Sequence, residues 1–322
     1  MKCKVTNEPI APFMSFGKMP IANGFIEKKD FSKEFFFEME VGFNEELSLF
    51  QLNDHPKPEK MFNKDYPFFT SSSEYMKKHF SNYAKFVEKY LNSNSKIIEI
   101  GSNDGTFLKN FLKTNNQIIG FEPSKSVADV AIKNNVPTLN EFFNISSVKN
   151  LKEFQGETDL ICASNVICHV PDLNNLILAI DHLLKKNGTF VFEEPYLGSM
   201  FEKTSYDQIY DEHIFMFSAS SISKIFKKFG FYLNDVIPQN THGGSMRYIV
   251  SREKDKNSKN LSKVLTYEVE NKFDQIESCI QFKKNCEISR ENIINKIKEF
   301  KRMGKSICGY AATSKSTTIL NY

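Results

Sequence analysis

The sequence predicts an α/β protein: a doubly covered, mostly parallel sheet, a small irregular lobe ahead of it and the beginning of a second α/β unit behind it. Three observations carry this expectation. Between residues 96 and 193, apolar runs of strand length alternate with helix-spaced runs, the pattern of right-handed βαβ units. Residues 1–60 break that rhythm with Pro9, Pro12, Pro20, Pro56 and Pro58. The length, 322 residues, suits roughly two domains and a sizeable core.

In chain order, residues 1–60 read as short strands and turns. Residues 74–91 place Tyr75, Met76, Phe80, Tyr83, Phe86, Val87 and Leu91 at helical spacing and predict an amphipathic helix. KIIEI, at 96–100, is a buried-strand run, and 104–112 is expected to open a helix. A second strand is expected at 117–121, a helix at 124–134 and a short third strand at 136–139. Residues 159–163 and 189–193 read as the fourth and fifth strands, with a helix at 173–184 between them that 185–188 ends. A helix at 218–229 stops at Gly230, and 231–237 and 247–250 read as two more strands. The polar stretch 253–265 suits a linker or helix start, and 264–301 is largely helical in one or two pieces. SICGY, at 306–310, predicts a strand leading through 311–315 into another helix. The expected divisions are 1–73, 74–252 and 253–322.

Composition narrows the function classes. Lys and Arg number 42 against 39 Asp and Glu, a formal net charge of +3, without the basic stripe of a nucleic-acid binder. The Lys-rich stretches at 283–284 and 296–305 read as solvated helix faces. Cys3, Cys162, Cys168, Cys279, Cys286 and Cys308 show no disulfide spacing, and MKCKVTNEPI contains no signal-peptide core. No run approaches about 18 apolar residues. A cytoplasmic protein with free thiols and no membrane partner is expected. The 31 Phe, with no Trp, read as core filling.

KIIEIGSNDGTFLKNF carries the first chemistry. A strand runs into Gly101-Ser-Asn-Asp-Gly105 and then toward a helix. Gly101 and Gly105 permit a tight turn and close approach to a ligand, and a helix start would supply unpaired N–H groups. Ligands of open α/β sheets bind beyond the carboxyl ends of the strands. The spacing is E-x-G-x-x-x-G rather than the dinucleotide G-x-G-x-x-G. Glu99 and Asp104 would repel a pyrophosphate and suit a ligand carrying ammonium and sulfonium charges. Glu122, ending the second strand in GFEP, is placed to accept both hydroxyls of a ribose.

Together with the later D-L-I-C-A-S-N-V strand and H-V-P-D, this set resembles the class I S-adenosylmethionine-dependent methyltransferases over residues 80–200. The resemblance implies S-adenosyl-L-methionine as cofactor. It implies that Gly101, Asn103 and Gly105 contact the methionine portion and Glu122 the ribose. The 140–143 segment, beginning at Asn140, would flank the adenine, and Ser164 and Asn165 would lie near the sulfonium. Phe142 and Phe143 suit core packing equally well.

Three more segments stand out: Tyr66-Pro-Phe-Phe-Thr-Ser-Ser-Ser73, Tyr210-Asp-Glu-His213 followed by Phe217-Ser218, and Thr241-His-Gly-Gly-Ser-Met-Arg247. Singly, each could be a surface turn or hairpin. Jointly, and with the closing G-Y-A-A-T-S-K-S-T-T-I-L-N-Y, they resemble the sugar C-methyltransferase family over nearly the whole chain. That family methylates a carbon of nucleotide-linked keto-deoxysugars. The resemblance implies a base that forms an enolate: His213, oriented by Glu212, with Tyr210 and His169 as other candidates. Tyr210 and Tyr66 would hold the enolate oxygen or the sugar, and Asn165 and His169 would lie where donor and acceptor meet. His242, Gly243 and Arg247 are the expected substrate contacts. A small-molecule acceptor is the expected partner. A methyltransferase for another small metabolite, and a non-catalytic binder of cofactor or sugar nucleotide, are the alternatives.

The family's N-terminal lobe usually holds zinc on two C-x-x-C pairs. Here those positions read Cys3-Lys-Val-Thr6 and Asn44-Glu-Glu-Leu47, so no zinc is expected, because a structural site needs four Cys or His ligands. Distant ligands such as His55 would need another geometry. Phe13, Phe16, Ile21, Phe25, Phe35 and Phe37 are then expected to hold the lobe. The family's last domain continues past the segment matching residues 309–322, so a shortened α/β segment is expected there.

Overall fold

The computed structural model describes residues 1–255, 258–310 and 313–322. Three antiparallel strands, β1 (Pro12–Pro20), β2 (Phe36–Asn44) and β3 (Leu49–Leu52), build the N-terminal lobe. The short α1 (Pro58–Met61) and then α2 (Glu74–Val87) lead out of it. Ser73 caps α2 by accepting a hydrogen bond from Met76 N.

The central sheet comprises β4 (Lys96–Ile100), β5 (Gln117–Phe121), β6 (Thr138–Leu139), β7 (Thr158–Ser164) and β8 (Leu184–Pro195). Helices α3 (Lys125–Lys133), α4 (Ile145–Val148) and α5 (Leu173–Leu183) connect them. Then come α6 (Leu197–Lys203), β9 (Phe215–Met216), α7 (Ala219–Lys227), β10 (Tyr232–Gln239) and β11 (Ser245–Ser251). The order across the sheet is β10-β11-β8-β7-β4-β5-β6. Strands β4 to β8 pair in parallel, and β11 runs antiparallel between β8 and β10. This is the mostly parallel, doubly covered α/β sheet that the sequence predicts, closed at one edge by an antiparallel pair.

Both sheet faces are covered, and side-chain alternation sorts them. Ile98, Ile161, Ala163, Phe190, Phe192 and Tyr248 face the core that α5 and α7 close. Ile97, Leu160, Cys162 and Val191 face Phe80, Tyr83 and Val87 of α2. Strand β9 leaves this domain to pair with β3, so the lobe's sheet reads β1-β2-β3-β9. That pairing fixes residues 206–217 against the lobe.

Several expectations are corrected. Residues 104–112 form only a 3₁₀ turn, Leu108–Phe111. Asn110 Nδ2 donates to the Phe107 carbonyl and Thr114 Oγ1 to that of Phe111, occupying acceptors that a longer helix would use. The strand expected at 306–310 is absent: these residues are exposed and unpaired, because no described strand lies alongside to complete a ladder. The 311–312 part of that expectation lies outside the described residues. The last segment is instead helical where described: α8 (Lys259–Glu270), α9 (Ile276–Arg302) and α10 (Ser314–Asn321). In the lobe, Phe16 and Phe37 are buried with Met14, Met39, Val41 and Phe50 against Phe201 and Phe282. Phe25 and Phe35 are exposed, and Lys60 lies over the Phe35 ring. No helix among the described residues is long and apolar enough to cross a membrane.

Candidate active site

A cavity of about 910 Å³ opens beyond the carboxyl ends of β4, β5 and β7. Its volume is that of a small-molecule site, within the usual range of about 300–1,000 Å³. One wall is the glycine turn. Gly101 has φ +66°, and a Cβ there would overlap the Val166 side chain. Gly105 has φ +79° and packs on Val136. Both backbone conformations favour glycine. Ser102 N donates to the Phe121 carbonyl, which ties the turn to the end of β5.

Acidic groups line this wall. Glu99 is buried, its Oε2 has no partner, and burial together with Asp104 and Glu122 pushes its carboxyl well up. Glu122 accepts from Asn103 N at 3.1 Å and from Ser124 N at 2.8 Å, and burial raises it too. Asn103 and Asp104 hold the segment above. Asn103 Oδ1 accepts from Thr70 N, and Asp104 Oδ2 accepts from Ser71 N, each at 2.8 Å. Asp104 and Gly105 therefore support the wall without lining the cavity. Asn140 does not line it either: its Nδ2 donates to the carbonyls of Glu122 and Pro123 and shapes the turn after β5.

The opposite wall is the Tyr210–His213 loop. His213 Nδ1 donates to the Gln208 carbonyl at 2.7 Å, so Nε2 carries the lone pair and accepts from Tyr210 Oη at 3.0 Å. Burial, His169 and Lys315 hold His213 well below the usual histidine range, which keeps the imidazole neutral. Glu212 does not orient it, as the sequence had suggested. Glu212 Oε1 accepts from Asn23 Nδ2 at 2.5 Å, and the Tyr66 hydroxyl lies against the same carboxylate. Burial and Asp211 push Glu212 up to about 8. Asp211, which accepts from Ala22 N, is pushed by burial to about 7. Burial raises the Tyr66 and Tyr210 hydroxyls well above their ordinary value.

Between the walls lies the turn after β7. His169 is stacked between Phe62, at 5.5 Å, and His213, at 5.3 Å, with Nε2 unpartnered. Burial lowers it to about 3. Asn165 adopts φ 54°, and its Oδ1 and the Ser164 hydroxyl are buried without partners. Glu194 anchors this turn by accepting from Val166 N at 3.0 Å and Ile167 N at 2.7 Å. Sequence reasoning missed Glu194. The signal was present in FEEP, two acids closing an apolar strand, since buried acids need a stated reason.

His242 lines the cavity in a left-handed conformation, φ 51°, and burial lowers it to about 4. Its neighbours Gly243 and Arg247 do not reach the cavity. The Gly243 carbonyl accepts from Lys203, and Arg247 is buried against Glu193, with Nε at 2.7 Å. The guanidinium lies over the Tyr83 and Phe86 rings, and His79 Nε2 donates to the other Glu193 oxygen at 2.6 Å. A fully neutralised Arg247 is structural support for β8 and β11 rather than a cavity contact.

The residues present fit a sulfonium cofactor. A buried carboxyl with one unpartnered oxygen, a second acid held by backbone N–H groups and a glycine turn face one cavity. Zinc fits less well. Cys3 is buried among Val5, Leu47 and Leu49, and Asn44 Oδ1 accepts from Leu47 N, so a leucine and a satisfied amide stand at two ligand positions. Among the described residues one group of three metal-ligand types gathers, Cys168, His169 and His213, within 4.8 Å of one another. Both His213 nitrogens are already engaged, and burial with Glu194 pushes the Cys168 thiol up.

Three family models match the chain. One described as "Methyltransferase domain" covers residues 73–236, just over half the chain. "C-methyltransferase C-terminal domain" covers 240–322, and "Putative zinc binding domain" covers 3–62. The C-methyltransferase NovU of Streptomyces niveus is 26% identical over 236 residues, 72% of this chain. The chain spans 56% of that relative's length. A methyltransferase structure from Thermotoga maritima is 20% identical, covers 55% of this chain and 91% of its own, and has a TM-score of 0.42. Magnesium protoporphyrin IX methyltransferase of Synechocystis, with bound S-adenosylmethionine, is 12% identical. It covers 55% of this chain and 79% of its own, with a TM-score of 0.42.

Proposed function

The chain belongs to the methyltransferase-domain family, and from that premise we propose that it is an S-adenosylmethionine-dependent C-methyltransferase acting beside the ketone of a nucleotide-linked deoxysugar. One observation supports this most: an acid-lined glycine turn and a hydrogen-bonded Tyr210–His213 pair face each other across a single cavity. The C-methyltransferase relative and family model point the same way.

When bound, S-adenosylmethionine supplies an electrophilic methyl group on a sulfonium. Glu99 and Glu122 would hold its cationic and ribose groups, with Gly101 allowing close approach and Ser164 and Asn165 lining the reacting side. His213 Nε2 takes the proton from the carbon beside the ketone, and the C–H electron pair moves onto the ketone oxygen. For this, Tyr210 first turns its hydroxyl from Nε2 to the ketone oxygen, so one movement frees the lone pair that takes the proton and places a donor on the developing oxyanion. Glu212 and Tyr66 hold each other against the sugar, while Phe62 and His169 keep water from the reacting carbon.

A second reading makes Glu212 the base, since its elevated carboxyl is matched to proton transfer near neutrality. The two differ in their slope with pH. With His213 as base the rate is flat through pH 7 to 8, because the imidazole is already neutral. With Glu212 as base the rate climbs as the carboxyl ionises around pH 8.

Mass spectrometry of reactions with S-adenosylmethionine and a panel of dTDP-keto-sugars should show a gain of one methyl. Silence across that panel, with S-adenosylhomocysteine still binding, would move the acceptor to another metabolite class or leave a binding protein without turnover. The lobe is proposed to stand without zinc. Elemental analysis should then find less than about 0.1 zinc per chain, and EDTA should leave the melting temperature unchanged, as expected where a four-ligand set is missing. Stoichiometric zinc would overturn that.

A further inference from the structure

Lys315 is the only Lys or Arg among the described residues lining the cavity, whereas Glu59, Glu99, Glu122, Asp172 and Glu212 line it as acids. None of these acids pairs with it. Lys315 has no hydrogen-bond or ion-pair partner among the described residues, although Asp207 and Cys168 face it at longer range. Its environment is partly desolvated, and an unpaired ammonium held there is costly unless a ligand completes it. Its position is fixed. Thr318 Oγ1 donates to the Ile209 carbonyl at 2.5 Å, and the Tyr322 ring packs on Phe16 and Tyr206. These contacts dock α10 on the segment that carries Tyr210 and His213.

The charge layout has two ends. The acids of the glycine turn act on one another, while Lys315 acts on His213 and His242. Thr313 and Ser314, at the amino end of α10, line the cavity beside Lys315, and no side chain caps that end. His242, neutral and lining the same end, retains a ring N–H able to donate.

We propose that Lys315, assisted by His242 and the first turn of α10, holds the diphosphate of the acceptor on the His213 side of the cavity. This rests on the sugar-nucleotide reading above and assigns the group that anchors it. A cationic cofactor at the acidic wall and an anionic acceptor at the lysine would each meet complementary charge. The sugar is thereby oriented with its ketone toward Tyr210 and His213.

Calorimetry with dTDP, inorganic pyrophosphate and S-adenosylhomocysteine tests this, using the full chain as wild type, Lys315→Ala and Lys315→Arg. Loss of one charge-assisted contact should weaken dTDP and pyrophosphate by about 10- to 100-fold in Lys315→Ala. Lys315→Arg should recover most of that affinity, and S-adenosylhomocysteine should bind all three proteins alike. Equal dTDP affinity in wild type and Lys315→Ala overturns the proposal, as does a wild type that binds neither phosphate compound. Pyrophosphate binding that depends on Lys315 without dTDP binding supports the diphosphate site and removes the nucleotide reading. Failure of S-adenosylhomocysteine alone strikes the cofactor assignment and leaves the lysine result standing.

Discussion

Replacing His213 with Ala should slow methyl transfer by about 10²–10⁴-fold, the usual contribution of a positioned base. Solvent deuterium should also cease to enter the acceptor at the carbon beside its ketone. The geometry gives the reason. The Gln208 carbonyl fixes the proton on Nδ1, so Nε2 is the one basic atom of the ring, and its partner is a hydroxyl. Affinity for S-adenosylhomocysteine should not move, because the opposite wall holds it. His213→Gln separates the role from the packing, since an amide fills the space without accepting a proton at neutral pH. Exchange at the wild-type rate in both variants would move the base off His213, and the pH profile then tests Glu212 as its replacement. Glu212→Gln would then be the inactive protein, and wild-type rates would rise through pH 8.

Glu122→Ala should weaken S-adenosylhomocysteine by about 10- to 100-fold, as hydrogen bonds to a charged group are worth about 1.5–3 kcal/mol. Two effects combine. The ribose acceptor is lost, and Asn103 N and Ser124 N lose the carboxylate that fixes them. Glu122→Gln keeps an acceptor for one of those N–H groups and should fall between the two proteins. His213-dependent exchange should survive in Glu122→Ala once the acceptor alone is supplied, because the base does not touch this wall.

Much of this architecture was legible because the sheet is buried on both faces. KIIEI and DLICA are continuous apolar runs, and parallel strands covered by helices must be. Glycines at Gly101 and Gly105 were readable for the same kind of reason: their positive φ excludes most side chains. The partners of individual polar groups were not readable. Nothing in Tyr-Asp-Glu-His says that His213 takes its orientation from the Gln208 backbone while Glu212 turns to Asn23, 189 residues away. Arg247 was expected to contact substrate from its place in the H-G-G-S-x-R segment that carries the family resemblance. Its guanidinium is instead consumed by Glu193, a residue on the neighbouring strand that sequence spacing does not bring near.

Local competition explains the other departures. The segment after Gly105 has helical apolar spacing, yet Asn110 and Thr114 cap carbonyls within a single turn and stop it. SICGY has strand composition, but a strand exists only beside another, and the described residues offer it none. Lys315 drew no attention because its significance lies in what it lacks, an acidic partner within a cavity full of acids.

A crystal structure of the protein with S-adenosylhomocysteine tests the central claim most directly. The expected density lies between the Gly101–Glu122 wall and the Tyr210–His213 loop, with ribose hydroxyls on Glu122 and the sulfur facing Asn165 and His213. Density for the nucleoside elsewhere, or a sulfur turned away from His213, would contradict the account.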